Sequence, residues 1–343
     1  MSIDLSALGW DDGFAEAFGP FAVPGQRPAR VSRVDRGVCT ALTAGGPVRA
    51  SAAGGLLARA VRDPGALPCA GDWLVVRDWP DGRLTAEAIL PRRTAIVRAT
   101  AGEESFGQVL AANVDAVAVV EPVDPSPDLG RIERLLALAW ESGAQPHLVL
   151  TKSDLAADPE AIAAQMPGRA SGVAVHAVSA RTGLGLAALR PLVAHGRTLG
   201  LLGQSGAGKS SLVNALAGAP VMQTRALRTD GRGRHTTTYR ALIPMPEGGA
   251  VLDTPGVRLV GMFDTVAGLD RAFTDVTLLA QDCRFQDCRH ADEPGCAVRA
   301  AVEDGELSPR RYASWQKLQK EQKLAAVRRV RRESRERRRP ARG

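Results

Sequence analysis

The first third of the chain alternates on a short period. Val31-Ser32-Arg33-Val34 runs loosely alternating into Val38. Val48-Arg49-Ala50, Leu56-Leu57-Ala58-Arg59-Ala60-Val61, Asp72-Trp73-Leu74-Val75-Val76 and Thr85-Ala86-Glu87-Ala88-Ile89-Leu90 follow it. Gly45-Gly46-Pro47, Asp63-Pro64-Gly65 and Pro80-Asp81-Gly82 punctuate these runs as turns. Five short strands in about 60 residues predict a small β-barrel of the OB type. Residues 1–30 show no clear period and read as a short, partly ordered extension.

The texture then lengthens. Asn113-Val114-Asp115-Ala116-Val117-Ala118-Val119-Val120 is nearly continuous in apolar residues, as in a parallel strand covered on both faces. Pro127 and Asp128 open a helix whose Ile132, Leu135, Leu136 and Ala139 repeat at helical spacing. His147-Leu148-Val149-Leu150-Thr151 and Val173 to Val178 read as strands, and Leu186 to Leu189 lie on a crossover helix. Thr198-Leu199-Gly200-Leu201-Leu202 is a further strand. Such alternation predicts an open, mostly parallel α/β sheet. Near the C-terminus Ser308-Pro309 reads as an N-cap with proline at the first helical position. Tyr312, Trp315, Leu318 and Leu324 are expected to form that helix's apolar stripe.

Composition narrows the partners. A chain of 343 residues suggests two or three domains. The net charge of +7 favours an anionic partner, most simply nucleic acid. Nine arginines fall between Arg328 and Arg342; such a run serves as a solvated tail or, beside an RNA-facing domain, as a phosphate contact. Arg30, Arg33, Arg36, Arg49, Arg59, Arg62 and Arg77 make the barrel basic too, although solvated arginines on a structural barrel are the plainer use. No apolar run of 18 residues suggests a membrane span, and Met1-Ser2-Ile3-Asp4 does not begin a signal segment, so a cytoplasmic protein is expected. Of five cysteines, Cys283, Cys288 and Cys296 cluster with His290. Cys₃His is a closed tetrahedral set for one structural Zn²⁺; a disulfide with a free thiol is the competing use.

Phosphate chemistry enters at Gly203-Gln204-Ser205-Gly206-Ala207-Gly208-Lys209-Ser210, which fits G-x-x-x-x-G-K-[ST] between a strand and the helical pattern Ser211 to Leu216. Backbone N–H groups and a helix N-terminus cradle phosphates there. Lys209 is expected on the β- and γ-phosphates and Ser210 on Mg²⁺. Thr151-Lys152-Ser153-Asp154 fits [NT]-K-x-D. A carboxylate at Asp154 accepts from guanine N1 and N2, a pair adenine does not offer, while Lys152 lies along base and ribose. Ser179-Ala180 follows the next strand, where a backbone N–H meets guanine O6. Alone the four-residue T-K-x-D match is weak; with S-A and the P-loop in one sheet it indicates GTP. Downstream, Gly231-Arg232-Gly233-Arg234-His235-Thr236-Thr237-Thr238 supplies a switch I threonine, taken as Thr237, and Asp253-Thr254-Pro255-Gly256 is a D-x-x-G. Asp253 is expected on Mg²⁺, and the Gly256 N–H on the γ-phosphate. The same loop residues also suit a flexible linker and a solvated strand.

The order is unusual: [NT]-K-x-D and S-A precede the P-loop, where Ras-like GTPases place them last. This arrangement, with Gly71-Asp72-Trp73, Leu90-Pro91-Arg92, the threonine run and the cysteine cluster, resembles the circularly permuted ribosome small-subunit-dependent GTPase A family (RsgA/YjeQ). The resemblance spans residues 30 to 320. It implies an OB-fold, a permuted GTPase domain and a C-terminal zinc domain, acting in late maturation of the small ribosomal subunit, whose RNA it binds and which stimulates its GTP hydrolysis. The expected divisions are extension 1–30, OB-fold 31–92, GTPase 93–262, zinc domain 263–325 and Arg-rich tail 326–343, in a monomer. Val257 stands where Ras-like switches carry a water-orienting glutamine, so a weak intrinsic rate is expected. His235 is the candidate replacement, completing a catalytic set with Lys209, Thr237 and Gly256; its other use is an RNA contact. The alternative function is a GTP-regulated binding module for another RNA or protein. An ATP-dependent metabolic enzyme fits poorly, because of Asp154.

Overall fold

The computed structural model describes residues 2–35, 37–61, 63–99, 107–166, 171–222, 240–254 and 266–338. Five strands close the barrel: β1 (Gln26–Asp35), β2 (Val38–Thr43), β3 (Gly46–Ala52), β4 (Trp73–Asp78) and β5 (Leu84–Ile89). They pair in the order β1-β2-β3-β5-β4, and β4 returns to β1 in antiparallel register. This is the OB-type closure expected, but built from partly different segments. Leu56–Val61, read above as a strand, belongs to the helix α2 (Gly54–Ala60), and the strand at Val38–Thr43 takes its place in the count. Only Leu56 of that helix is buried, so its short apolar run shows no helical stripe in the sequence. The first strand begins at Gln26, inside the stretch read as an extension. Before it, the helix α1 (Asp12–Phe18) is capped by Asp11 and lays Phe14 on Trp73, with Trp10 4.8 Å from the Trp73 ring.

Strand β4 explains its own unbroken apolar run. Leu74 and Val76 fill the barrel, while Trp73 and Val75 face the opposite way, into the core shared with the next domain. A hairpin, β6 (Ala95–Ala99) and β7 (Gly107–Ala112), makes the transition. The parallel strands β8 (Ala116–Pro122), β9 (Gln145–Thr151), β10 (Ala174–Ala177), β11 (Thr198–Leu202) and β13 (Ala250–Asp253) then assemble in the order β10-β9-β8-β11-β13. Antiparallel β12 (Ala241–Pro244) closes this sheet and touches β1 at Arg33 and Ala241, so sheet and barrel are one continuous ribbon. Strand β8 is buried throughout. Val117 and Val119 meet the core under α3 (Leu129–Glu141), and Ala116, Ala118 and Val120 that under α5 (Lys209–Ala217). Asp128 caps α3, accepting from Arg131 N at 3.0 Å. A 3₁₀ segment, Leu186–Val193, occupies the place of the expected crossover helix.

The short helices α4 (Pro159–Ala164), α6 (Val266–Ala272), α7 (Thr274–Gln281) and α8 (Ala297–Glu303), and the long α9 (Pro309–Arg338), complete the described residues. Ser308 Oγ accepts from Arg311 N at the start of α9, and Trp315 and Leu318 are buried. Leu324 of the expected stripe is half exposed. The helix continues through much of the arginine-rich run. No helix among the described residues is long and apolar enough to cross a membrane.

Candidate nucleotide site and metal centre

Parallel strands end on the same edge, and four of them carry the predicted chemistry to it. Thr151 ends β9, Ser179 and Ala180 follow β10, Gly203 follows β11, and Asp253 ends β13. A ligand crevice beyond the carboxyl ends of parallel strands is what this class of sheet offers. Gly203 has φ of +156° and passes so close to β8 that an added Cβ would lie 2.4 Å from the Val120 carbonyl oxygen. Gln204, Ser205, Gly206 and Ala207 carry the loop round to Gly208, also at positive φ. Lys209, Ser210 and Ser211 form the first turn of α5.

The Lys209 ammonium reaches back across the loop, donating to Gly203 O at 2.7 Å and Gln204 O at 2.9 Å. Burial lowers its pKa, with Asp253 acting the other way. A lysine held over an inward-turned backbone presents positive charge to an anion at the loop mouth. Thr151 Oγ1 donates to Ala207 O at 2.6 Å, fastening the [NT]-K-x-D strand to the loop. Lys152 adopts a left-handed backbone with φ of +58°, which turns the chain so that Asp154 follows on the first 3₁₀ turn. The Asp154 carboxylate accepts from Ser179 Oγ at 2.5 Å and from Arg181 Nε at 2.8 Å. These bonds, Ser179's first, hold its pKa below the usual carboxylate range. A paired, ionised carboxylate suits two N–H donors of a base edge.

Asp253 is buried, and its Oδ1 has no hydrogen-bond partner among the described residues. Desolvation pushes its carboxyl pKa up and Lys209 opposes the rise. An orphaned carboxylate oxygen beside a phosphate loop, with the Ser210 hydroxyl at the start of α5, fits the oxygen donors of a Mg²⁺ site or its bound water. Thr254 Oγ1 donates to Leu201 O at 2.5 Å and fixes the strand end. His235, Thr237, Gly256 and Val257 lie outside the described residues. Helix α6 is seated on α3: Glu141 Oε2 accepts from Gly268 N at 2.8 Å.

Cys283, Cys288, His290 and Cys296 converge, with all four ligand atoms within 4.8 Å of one another. Cys283 Sγ lies 3.9 Å from Cys296 Sγ, and both lie 3.5 Å from His290 Nδ1. A tetrahedral Zn²⁺ with bonds of about 2.3 Å sets sulfurs about 3.8 Å apart, so the donor set fits that ion. The 3.9 Å between Cys283 Sγ and Cys296 Sγ is far longer than a disulfide bond, so this arrangement favours a metal over the disulfide reading. His290 has φ of +57°; Tyr312 Oη donates to its carbonyl, and Trp315 packs edge-on to its ring at 5.4 Å. The cluster is thereby tied to α9. Two further contacts had little trace in the sequence: the Thr151 bond to the phosphate loop, and Arg181 on Asp154. The position of Arg181, directly after S-A, was the available signal for the second.

Strand order, loop and motif order together define a circularly permuted P-loop GTPase, flanked by an OB-type barrel and a small knuckle carrying the Cys₃His set. A family model described as RsgA GTPase matches residues 89–263. The small ribosomal subunit biogenesis GTPase RsgA of Streptomyces coelicolor is 50% identical over 321 residues, covering 92% of this chain and 86% of the relative. Its counterpart in Opitutus terrae is 45% identical over 328 residues, covering 92% and 89%. Among solved structures, YjeQ from Thermotoga maritima superposes with a TM-score of 0.62 at 25% identity, over 87% of this chain and 98% of that one. YloQ, described as a circularly permuted GTPase, gives 0.58 at 25% identity, over 87% and 95%. The chain belongs to the RsgA GTPase family, and it is a GTPase.

Proposed function

We propose that this GTPase acts in late maturation of the small ribosomal subunit, as a monomer in the cytoplasm. It binds ribosomal RNA and hydrolyses GTP to GDP and phosphate when the subunit stimulates it. The observation that carries this reading is the convergence of Asp154, Ser179, the 203–210 loop and Asp253 on one sheet edge, in a chain half identical to a relative named for small-subunit biogenesis.

In this reading Thr151, Lys152, Asp154, Ser179 and Ala180 hold guanine, and Gly203 to Ser211 hold the phosphates. Ser210, Thr237 and Asp253 would hold Mg²⁺, which supplies charge neutralisation between the phosphates when bound. Lys209 stabilises the γ-phosphate oxygens, the Gly256 N–H donates to them, and His235 orients the attacking water. Zn²⁺ at Cys283, Cys288, His290 and Cys296 is structural. The barrel, the knuckle and the arginine-rich helix end face RNA, with the divisions 1–30, 31–92, 93–262, 263–325 and 326–343 as functional units.

The decisive measurement is the GTPase rate with isolated small subunits, large subunits or plain RNA. Stimulation confined to small subunits is expected; equal stimulation by plain RNA points instead to a general RNA-regulated module. ATP should compete poorly for the site. For His235→Ala, GTP binding should persist while subunit-stimulated turnover falls about a hundredfold; undiminished turnover removes the histidine from the reaction. Chelating the zinc should abolish stimulation with little loss of GDP affinity, and stimulation surviving metal loss would disprove coupling through the knuckle.

A further inference from the structure

The loop after β10 is built to deliver one more side chain to the base site. Ser179 N donates to Leu184 O at 2.9 Å and Gly183 N to Ser179 O at 2.9 Å, closing a tight turn. Ser179 Oγ accepts from Arg181 N at 3.3 Å and Thr182 N at 3.2 Å while donating to Asp154 Oδ1. The turn leaves Arg181 directed at the other carboxylate oxygen. Its Nε donates to Asp154 Oδ2 at 2.8 Å, and Nη2 lies 2.6 Å from the same atom. Arg181 is 75% exposed at its side chain, whereas Asp154 is only 12% exposed. The arginine therefore contributes little packing, and its principal contact is this carboxylate.

A carboxylate has about four acceptor positions. Ser179 uses one on Oδ1, and of the two Arg181 nitrogens near Oδ2 only Nε is aligned as a hydrogen bond while Nη2 makes an ion contact, so each oxygen retains a position for the two N–H donors of guanine. The two anchors also fix rotation about the Cβ–Cγ bond, because they pull on different oxygens. One anchor alone leaves the carboxylate free to swing about it. We propose that Arg181 is a positioning residue for base selection: with Ser179 it sets the plane of the Asp154 carboxylate for two-point recognition of guanine. This rests on the assignment of Asp154 to the base.

The test compares GDP with IDP, whose hypoxanthine lacks the exocyclic amine and makes one bond to Asp154 instead of two. For Arg181→Ala, the Kd for GDP is expected to rise about fivefold and that for IDP less than twofold, so the preference for GDP shrinks at least twofold. Arg181→Lys, which keeps the charge but loses the planar fork, should fall between. A merely structural or phosphate-directed arginine would weaken both nucleotides equally; that result, or an unchanged ratio, overturns the proposal. Asp154→Asn separates the levels, since an amide should lose GDP and favour XDP. If it leaves base preference untouched, the assignment of Asp154 fails and the proposal with it. If it shifts preference while Arg181→Ala does not alter the ratio, only the role of Arg181 fails.

Discussion

The nucleotide domain meets its two neighbours through different physics. On the barrel side the joint combines a shared apolar core with close backbone contacts. Gly71 sits against β7, and Ala112 N donates to Ala70 O at 3.1 Å. Asn113, at φ of +54°, accepts from Arg93 N and donates to Gly71 O. Arg30 is fully buried, donating to the carbonyls of Leu8 and Asn113, so one guanidinium ties N-terminal segment, barrel and nucleotide domain together. On the C-terminal side, α6 packs closely on α3, and α9 adds a cluster of ion pairs to the apolar contact made by Trp315 and Leu318. Glu133 on α3 is buried and accepts from both Arg310 and Arg311; Arg311 also reaches Asp275 on α7. Backbone contacts at hard-sphere distance admit one arrangement. Ion pairs on long side chains keep their attraction over a range of separations, so the α9 part of the second joint tolerates small shifts that the close contact of Gly268 on α3 does not.

The largest effect that should separate the two joints is at Gly71. Its φ is +92°, and an added Cβ would stand 2.1 Å from the Ala112 carbonyl oxygen. Gly71→Ala should cost upwards of about 4 kcal/mol, combining left-handed strain with a backbone clash. Gly82 in the β4–β5 turn is the control: its φ is +80°, yet nothing lies within 4 Å of its added Cβ. Gly82→Ala should cost only about 1 kcal/mol. Equal losses in denaturant titrations would mean the barrel joint is not close-packed at Gly71. Next comes Glu133→Ala, expected to cost about 3 kcal/mol because it strands buried guanidinium charge. GDP affinity should stay within about twofold, since α3 packs on the opposite face of the sheet from α5 and its phosphate loop. A collapse of GDP binding would show that α9 supports the nucleotide site itself, and the contrast between the joints would have to be redrawn.

What could be read in advance follows the range of the forces involved. The parallel strands and their end motifs were legible because each signal is local: β8 is apolar throughout since both faces are covered, and the loop at 203–210 needs its glycines within eight residues. The barrel was legible as a barrel but not strand by strand. Leu56–Val61 carries strand-like residues, yet follows Gly54-Gly55 and forms a short helix that buries one side chain. Val38–Thr43 was overlooked because the residues it turns into the barrel core, Cys39 and Ala41, are small. The β6–β7 hairpin had no sharp turn signal. The joints were invisible, since Arg30 finds its partners 22 and 83 residues away and Glu133 finds its arginines 177 and 178 residues away. Nothing in the neighbourhood of either residue encodes that distance.

The smallest effect is the sharpest test of the charged joint. One residue beyond Glu133, Arg134 forms a two-pronged pair with Glu321 further along α9, at 2.5 and 2.8 Å. The side chains are 22% and 32% exposed, against 1% for Glu133. Solvent at the pair raises the effective dielectric, so the same chemistry should be worth far less here. A double-mutant cycle with Arg134→Ala and Glu321→Ala should give a coupling of about 0.5–1 kcal/mol. The cycle cancels whatever else each side chain touches. Raising NaCl to about 1 M, where the Debye length shrinks to about 3 Å, should remove most of that coupling and leave the Glu133→Ala loss nearly unchanged. Such a result makes the base of α9 a fixed point and the stretch beyond Glu321 progressively free to shift. A coupling above about 2 kcal/mol that survives salt would instead clamp the helix along its length, and the second joint would then be as rigid as the first.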